Sequence, residues 1–593
     1  MEPALREEAI LLTAAGASSD ASNLAKLLSF FGVPWRSLTP EEFFVQVNAG
    51  EENSSKVRLF CSADTFLTVI ERLECSLEDV RLWSKRVHSA FVYAGDAPEV
   101  LQTLLRTLTR SDAPAIRKSN PGAGDLRVSE RWNDFCAVMA GVRVRASAAN
   151  AGTSFILNGF SQQHWRNIIS TDNGAYFLMI EYENVAVFLS ASESIIDIDS
   201  KLTSQNFDIR EHFLNAVPAV LYIKWAFADI CWNAPEANAC LVIDDPLLKP
   251  NYGCLNFGEL LALMERFHFA TNIAFIPWNW RRSDPKVVRL FNQKPERYSL
   301  SIHGCDHTAA EFGSYDRQCL SSKVKRAVER MSGHQTSTGI SHEKVMIFPQ
   351  GVFSRAAIDV LKGFNFTAAV NTDVFSVDPH PPAIAVSDVW DVALMRYDSF
   401  PIFTRRYPSQ EIANFAFDIL VGKSCIIGIH HNFCRDHYKH LLELVNRLNA
   451  LTPPLSWRSL GEVVRRSCRC RNVSPGVVEI EMYGAELRLE NHSELRQRYL
   501  IRRRESEPSD IKEIRAESRK LEWTFFEGYV RFEFELEAGQ VVIIGVRFHD
   551  LIGQSDGKEN LSYRVRTRLR RYLSEIRDNY FVKNNLHFSD LSD

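Results

Sequence analysis

The chain has 593 residues, a length that predicts roughly three or four domains. Apolar and charged residues occur at frequencies typical of a globular protein, and the formal net charge of −4 gives no argument for a nucleic-acid partner. The acidic N-terminus lacks a signal-peptide core, and we see no apolar run of roughly eighteen residues, so we expect a cytoplasmic protein. The 12 cysteines are scattered, which favours reduced thiols.

Residues 1–230 begin with short strands that alternate with helices. Apolar runs at residues 10–12, 57–61 and 91–93 are each followed by a helical pattern, and a later pair of runs around Glu183 is typical of a hairpin. Strands that alternate with helices of about ten residues predict a parallel, doubly wound sheet. We therefore expect an N-terminal α/β domain with a structural or partner-binding role.

Residues 235–470 form a second and more regular α/β unit. Strand-like runs recur about six or seven times and are separated by helical patterns, such as the one that Asn256 caps. This number of strand–helix units predicts a closed or nearly closed β/α barrel. In such a barrel the functional site lies at the carboxyl ends of the strands.

Polar residues suited to a metal site stand at two of these strand ends. Asp244 and Asp245 end one apolar run, and His303 and His307 follow another. If a helical turn begins at His303, the four-residue spacing places both rings on one face. One carboxylate and two imidazoles leave a position on a metal ion open for water, and the second carboxylate can then act as a base.

In this order, these residues resemble the motifs of the polysaccharide deacetylase superfamily of carbohydrate esterases. The sequence has the Asp-Asp pair, the later His-x-x-x-His, a proline–glycine loop at Pro349, and the pair His430 and His431 after the final strand. The resemblance covers residues 235–470. It implies a deacetylase-like β/α barrel between the N-terminal domain and a third domain.

The resemblance also implies a site. A divalent metal, with zinc as the expected ion, would be held by Asp245, His303 and His307. Asp244 would be the general base, and His430 or His431 would be the acid that protonates the departing amine. The implied activity is that of a metal-dependent hydrolase that removes N-acyl (acetyl) groups from a carbohydrate or sugar-like substrate, at a linear amide carbon–nitrogen bond.

The sequence departs from the family pattern in the loop that carries Pro349. The family often has an arginine two residues before this proline, directed at the base, whereas Ile347 stands there in this chain. A carboxylate without a neighbouring cation can turn away or rise in pKa. We predict that Arg396, on the next strand-like segment with Met395, lies near Asp244 and replaces the missing cation.

The pattern changes again in residues 471–593. Alternating apolar and charged residues, as in residues 529–536, predict a β-sandwich-like domain. A basic helix over residues 563–581 follows, with arginines around an apolar stripe that consists of Val565, Leu569, Leu573, Ile576 and Tyr580. The stripe either docks the helix on the protein or allows contact with a membrane surface or a protein partner.

Three functions are compatible with this sequence. The first is the carbohydrate N-deacylase that the resemblance implies. The second is a catalytically inactive barrel that binds glycans or acts as a scaffold in polysaccharide assembly. The third is an enzyme that acts on another carbon–nitrogen bond, because Ile347 loosens the match to the family. Bound metal with turnover of an N-acetylated sugar separates the first from the second, and a substrate panel separates the first from the third.

Overall fold

The structure, a computed structural model, describes residues 8–14, 19–49, 56–95, 97–112, 115–118, 125–145, 155–158, 165–172, 174–549 and 561–582. Three units follow one another along the chain: a sheet with helices, a β/α barrel, and a pair of sheets followed by a helix.

The N-terminal unit is built on a mixed sheet. Its strands are β1 (Ala9–Leu12), β2 (Trp35–Leu38), β3 (Val57–Ser62), β4 (Val87–Tyr93), β5 (Ala115–Lys118), β6 (Asp125–Val128), β7 (Arg143–Arg145), β8 (Phe155–Asn158), β9 (Trp165–Thr171), β10 (Gly174–Tyr182) and β11 (Val185–Ser190). Its helices are α1 (Ser19–Phe30), α2 (Pro40–Ala49), α3 (Ala63–Cys75), α4 (Leu77–Arg86), α5 (Pro98–Thr109), α6 (Asn133–Cys136) and α7 (Ile209–Phe227).

The neighbouring strands β2, β1, β3, β4 and β11 pair in parallel, whereas β10 and β9 continue the sheet in antiparallel pairing. The sheet is therefore mixed and not parallel throughout, because the hairpin at Glu183 and Asn184 reverses the chain. Wide apolar burial on both sides of such a sheet explains its near-continuous runs of Val, Ile, Leu and Phe.

Helix α7 connects the first sheet to the barrel. Its side chains Phe213, Val217 and Tyr222 belong to one core cluster with residues of both units. By length and composition alone, the stretch Ile209–Ile230 is the one part of the described chain that could cross a membrane. Most of that stretch is buried inside the protein, as in a core helix.

The barrel is formed by parallel strands. They are β12 (Asn238–Asp244), β15 (Thr271–Phe275), β16 (Tyr298–His303), β17 (Glu343–Ile347), β18 (Ala368–Asn371), β19 (Ile402–Thr404) and β20 (Cys425–His430), and the short β21 (Ser456–Trp457) pairs with β12. A separate small hairpin consists of β13 (Asn251–Tyr252) and β14 (Leu255–Asn256). The helices are α8 (Phe257–Phe267), α9 (Pro285–Gln293), α10 (Arg317–Thr338), α11 (Arg355–Gly363), α12 (Val386–Trp390), α13 (Ile412–Leu420), α14 (Lys439–Asn449) and α15 (Leu460–Arg466).

The strand order β19-β18-β17-β16-β15-β12-β20 almost closes on itself. Arg406, just after β19, donates its backbone N–H to Ile426 of β20 and accepts one from Gly428. These two bonds join the edge strands, so the expectation of a nearly closed β/α barrel is confirmed. The carboxyl ends of all seven strands consequently face one end of the barrel.

The C-terminal unit contains two sheets around one shared core. Its strands are β22 (Cys468–Ser474), β23 (Val477–Met482), β24 (Glu486–Glu490), β25 (Gln497–Arg504), β26 (Ile511–Ala516), β27 (Arg519–Lys520), β28 (Thr524–Phe526), β29 (Tyr529–Leu536) and β30 (Val541–Phe548). Most neighbours are antiparallel, but β23 and β25 pair in parallel. Helix α16 (Leu561–Ile576) follows and ends in a wider turn at Arg577–Val582.

Helix α16 packs against the barrel with its polar side. Thr567 and Arg571 are buried in this contact, whereas Val565 and Leu569 are 61% and 60% exposed. The interpretation that the apolar stripe docks the helix is therefore wrong. The sequence pattern suggested that apolar side chains attach α16 to the barrel, but hydrogen bonds and ion pairs make most of this contact.

Candidate metal and catalytic site

Three of the predicted residues converge at the carboxyl end of the barrel strands. Asp245 directly follows β12, and its Oδ1 lies 3.3 Å from Nε2 of His303 and 3.0 Å from Nε2 of His307. The three ligand atoms all lie within 4.8 Å of one another. The site is sheltered, since the side chains of His303 and His307 are 2% and 15% exposed.

The two imidazoles meet across a turn. The segment after β16 is not helical, and α10 begins only at Arg317, so the expected helical turn at His303 is wrong. Instead, Gly304 and His307 adopt left-handed conformations with φ of 64° and 56°. The ring centroids come to 5.0 Å from each other. The two rings are therefore close, as predicted from their four-residue spacing, but a non-helical turn and not a helix brings them together.

Glu311, which is not among the residues predicted from sequence, holds this turn in place. Its buried carboxylate accepts the backbone N–H groups of residues 305, 306 and 307 at 3.0, 2.8 and 3.1 Å. A Cβ atom on Gly304 would lie 2.4 Å from Glu311 Oε2 and 2.5 Å from Pro349 Cγ. Glycine is thus required beside His303 because the carboxylate and the proline loop both pack there. No pattern around Glu311 marks it in the sequence.

The donor set fits a bound cation. Nδ1 of His303 lies 2.9 Å from the carbonyl oxygen of Ile347, which can only accept, so Nδ1 carries a proton and Nε2 is the ring nitrogen that faces Asp245. Oδ1 of Asp245 is buried and lacks a well-oriented hydrogen-bond donor among the described residues. A carboxylate oxygen and two imidazole nitrogens at such distances are stabilised by a divalent ion between them.

The electrostatics of the site also favour positive charge. Burial alone would raise the pKa of Asp245, yet His307 and His303 hold that pKa well below its ordinary value. Burial alone would lower the pKa of His303, but Asp245 and then Asp244 raise it. Both shifts have the same origin: two carboxylates in a buried site need a cation near them.

We call Asp245, His303 and His307 the metal-site residues, because they could hold an ion. Asp244 is buried beside them and paired with an arginine. Arg405 donates from Nη1 to Oδ1 and from Nη2 to Oδ2 of Asp244, at 2.8 and 2.7 Å. Burial would raise the pKa of Asp244, but Arg405, followed by His303, keeps it below its ordinary value. Gly428 of β20 leaves room for Arg405, since a Cβ there would lie 2.9 Å from the arginine Cδ.

Arg396 does not reach Asp244, and its predicted position is wrong. Its Nε donates to both oxygens of Asp388 at 2.8 Å. The physical reason is its place in the chain: Arg396 precedes β19, whereas the site residues follow their strands. Arg405 directly follows β19, at the end of an apolar run, and the strand-end criterion that selected Asp244 would have found it.

The two neighbouring histidines after the last barrel strand point in different directions. His430 pairs in register with Asp244, its Nδ1 lies 3.8 Å from Oδ2 of Asp245, and its side chain is 51% exposed. His431 is 7% exposed, and its Nε2 lies 3.6 Å from Oδ1 of Asp578. The structure therefore brings His430 to the metal-site residues and His431 to the segment after α16.

The C-terminal helix forms part of the rim of this site. Tyr252 donates its hydroxyl proton to Asp578 at 2.7 Å, and the backbone N–H of Gly253 donates to Asn579 at 2.9 Å. At the other end, the hydroxyl of Tyr563 donates to Asp306 at 3.0 Å. Residues more than 250 positions apart in sequence thus meet at this end of the barrel, and no local sequence pattern predicts such contacts.

No protein-family model and no curated protein sequence match this chain. Among solved structures, a family 4 carbohydrate esterase from Streptomyces lividans is 14% identical, with 36% of this chain and 86% of that chain covered and a TM-score of 0.22. A family 4 esterase from Streptococcus mutans is also 14% identical, covering 38% and 87% of the two chains with a TM-score of 0.24. A peptidoglycan N-acetylglucosamine deacetylase is 12% identical, with 39% and 90% covered and a TM-score of 0.25.

These structures carry the names of the family that the sequence motifs resemble. The chemistry proposed below for this chain rests on its own side chains.

Proposed function

We propose that the barrel is a metal-dependent hydrolase that removes an N-acyl group, chiefly acetyl, from a carbohydrate or sugar-like substrate. One observation carries the proposal: Asp245, His303 and His307 converge beside Asp244, whose carboxylate is held by Arg405. This set combines metal ligands with a separate, oriented carboxylate. Amide hydrolysis needs both, because the nucleophilic water must be activated and its proton must be accepted.

A divalent ion held by Asp245, His303 and His307, with zinc as the expected identity, would polarise the amide carbonyl and lower the pKa of a water molecule. Asp244 accepts the proton of the attacking water. Its lowered pKa keeps it ionised at neutral pH, and the two-armed contact with Arg405 fixes its orientation. Each carboxylate oxygen retains a lone pair for the proton, since a carboxylate has about four acceptor positions.

His430 acts as the acid that protonates the departing nitrogen. An amine leaves readily only after protonation, and imidazole can hold a proton near neutral pH. The exposed edge of His430 allows the substrate nitrogen to approach it from solvent. The close contact of His431 with Asp578 favours His430 over its neighbour for this role.

The glycan-binding or scaffolding alternative shares the barrel but requires no turnover. Arg405 favours the enzyme, because it supplies the cation that Ile347 cannot. The deciding experiment combines metal analysis of the purified protein with acetate release from N-acetylated oligosaccharides. We expect bound divalent metal and turnover, and we expect Asp244→Asn to keep the metal and lose nearly all turnover.

Protein without metal, or glycan binding that Asp244→Asn leaves unchanged without any acetate release, would favour the scaffold. A panel of other amide substrates, tested in parallel, separates carbohydrate deacylation from hydrolysis of another carbon–nitrogen bond. Unchanged hydrolysis in Asp244→Asn would remove Asp244 as the base.

A further inference from the structure

Helix α16 is attached to the barrel by ionic and polar contacts along one side. Glu575 pairs with both Lys249 and Arg282, and Tyr563 donates to Asp306. Burial would raise the pKa of Glu575, but these two cations lower it, so the carboxylate is ionised in this contact. The helix therefore has a fixed orientation, and its opposite side is turned away from the barrel.

That opposite side is apolar and exposed. We call it the outer face of α16, and it consists of Leu561, Val565, Leu569, Leu573 and Ile576. Leu561, Leu569 and Leu573 are 71%, 60% and 56% exposed. At about 100° per residue, these side chains occupy an arc of roughly 120° on the helix. Large apolar side chains grouped in this way mark an interaction surface, whereas scattered ones are ordinary.

Arginines border the outer face on both sides. At the same helical spacing, Arg564 and Arg568 lie along one edge, and Arg566 and Arg570 lie along the other. The two carboxylates of residues 561–582 are Glu575 and Asp578, and both are engaged with partners on the barrel side. The charge presented around the apolar arc is therefore positive.

We propose that the outer face of α16 docks on an anionic lipid bilayer, with the helix in the plane of the membrane surface. An apolar arc with arginines along both edges matches such a surface, because the apolar side chains enter the headgroup boundary while the guanidinium groups reach the lipid phosphates. A second copy of the chain fits less well, since two such faces in contact would oppose their arginines.

The inference stands apart from the proposed hydrolase activity, because it depends only on the outer face and its charge. It has a geometric consequence nonetheless. The C-terminal helical segment contacts Tyr252 and Asp306, which lie on loops at the carboxyl end of the barrel, so docking would hold that end close to the bilayer.

The test is co-sedimentation of the full chain with vesicles. We expect binding to an equal mixture of phosphatidylcholine and phosphatidylglycerol, weakening as salt is raised, and much weaker binding to phosphatidylcholine alone. Leu569→Glu with Leu573→Glu should lower the partition coefficient at least about tenfold. Arg564→Gln with Arg568→Gln should lower it by roughly tenfold at low salt.

The matched control is Leu77→Glu, a leucine that is 85% exposed on α4, which should leave vesicle binding unchanged. Circular dichroism of each variant checks that the fold is kept. Absence of binding to the anionic vesicles, or equal binding by the Leu569→Glu, Leu573→Glu variant, would overturn the proposal. So would concentration-dependent self-association without vesicle binding, if the same double variant abolished it, because the outer face would then be a contact between copies.

Discussion

Arg405 and Asp244 form a two-armed ion pair inside the barrel, with nitrogen–oxygen distances of 2.8 and 2.7 Å. Both side chains are buried, at 4% and 5% exposure. A buried ion pair of this kind contributes little net stability compared with apolar packing, but loss of one partner leaves an uncompensated charge. The pair is better explained by the need to orient the carboxylate next to the metal-site residues.

Replacing Arg405 should alter the pH dependence of turnover. Burial raises the pKa of Asp244 and Arg405 opposes this, so Arg405→Met should raise that pKa and shift the acidic limb of the kcat/KM profile to higher pH. The variant should also lose about 3–5 kcal/mol of stability. Arg405→Lys keeps the charge, so its acidic limb should lie between those of the unchanged protein and Arg405→Met. Arg396→Met, which removes a contact to Asp388, should leave the acidic limb in place.

The two histidines after β20 should differ in effect. His430→Ala should lower turnover by about 10²–10⁴-fold with metal content retained, because general acid–base groups contribute in that range. His431→Ala should have the smaller effect on turnover, since its imidazole faces Asp578. Metal analysis and steady-state kinetics of both variants decide the matter. If His431→Ala alone abolishes turnover, His430 is not the acid.

Glu311 should control metal affinity without being a ligand. Glu311→Gln replaces a carboxylate that accepts three backbone N–H groups with an amide that offers one oxygen, so the turn from His303 to His307 should loosen. We expect metal affinity to fall by about 10–100-fold, as for other groups that orient ligands. Glu443→Gln, at an exposed site on α14, is the control, and competition with a chelator measures the affinities. Unchanged affinity in Glu311→Gln would contradict the role of this carboxylate.

Gly428 should be required for the position of Arg405. An alanine Cβ would lie 2.9 Å from Arg405 Cδ and 3.0 Å from its Nε, so Gly428→Ala should displace the guanidinium. Its turnover and acidic limb should change in the same direction as in Arg405→Met, while metal content stays the same. Gly545→Ala, in a strand where a Cβ meets nothing within 4 Å, should be neutral in both measurements.

The barrel and the metal-site cluster were accessible from sequence because apolar runs mark buried strands, and parallel strands bring their carboxyl ends together. Asp244, Asp245 and His303 each follow such a run, so their proximity could be inferred without coordinates. The strand-end rule failed for Arg396 because the sequence pattern predicts a strand at Met395 and Arg396, whereas β19 has only three residues and begins at Ile402. Short strands carry too few residues to fix their bounds by pattern.

The contacts made by single residues were beyond sequence reasoning. Glu311 acts through backbone N–H groups that have no side-chain signature, and its effect depends on the path of the turn. The orientation of α16 was misjudged for a related reason. Its apolar stripe was visible, but the pairing of Glu575 with Lys249 and Arg282, more than 290 residues earlier, decides which side faces the barrel.

The polar attachment of α16 has a consequence for how far the barrel can be treated as a separable module. A fragment that ends near residue 470 would contain every residue of the metal-site cluster. It would lack Asp578 beside Tyr252 and His431, and also Glu505, which pairs with Lys362 of α11 in a buried contact at 2.6 Å. The segments around Tyr252 and His431 would lose these contacts in the fragment, so we expect the fragment to release less acetate from N-acetylated oligosaccharides than the full chain does.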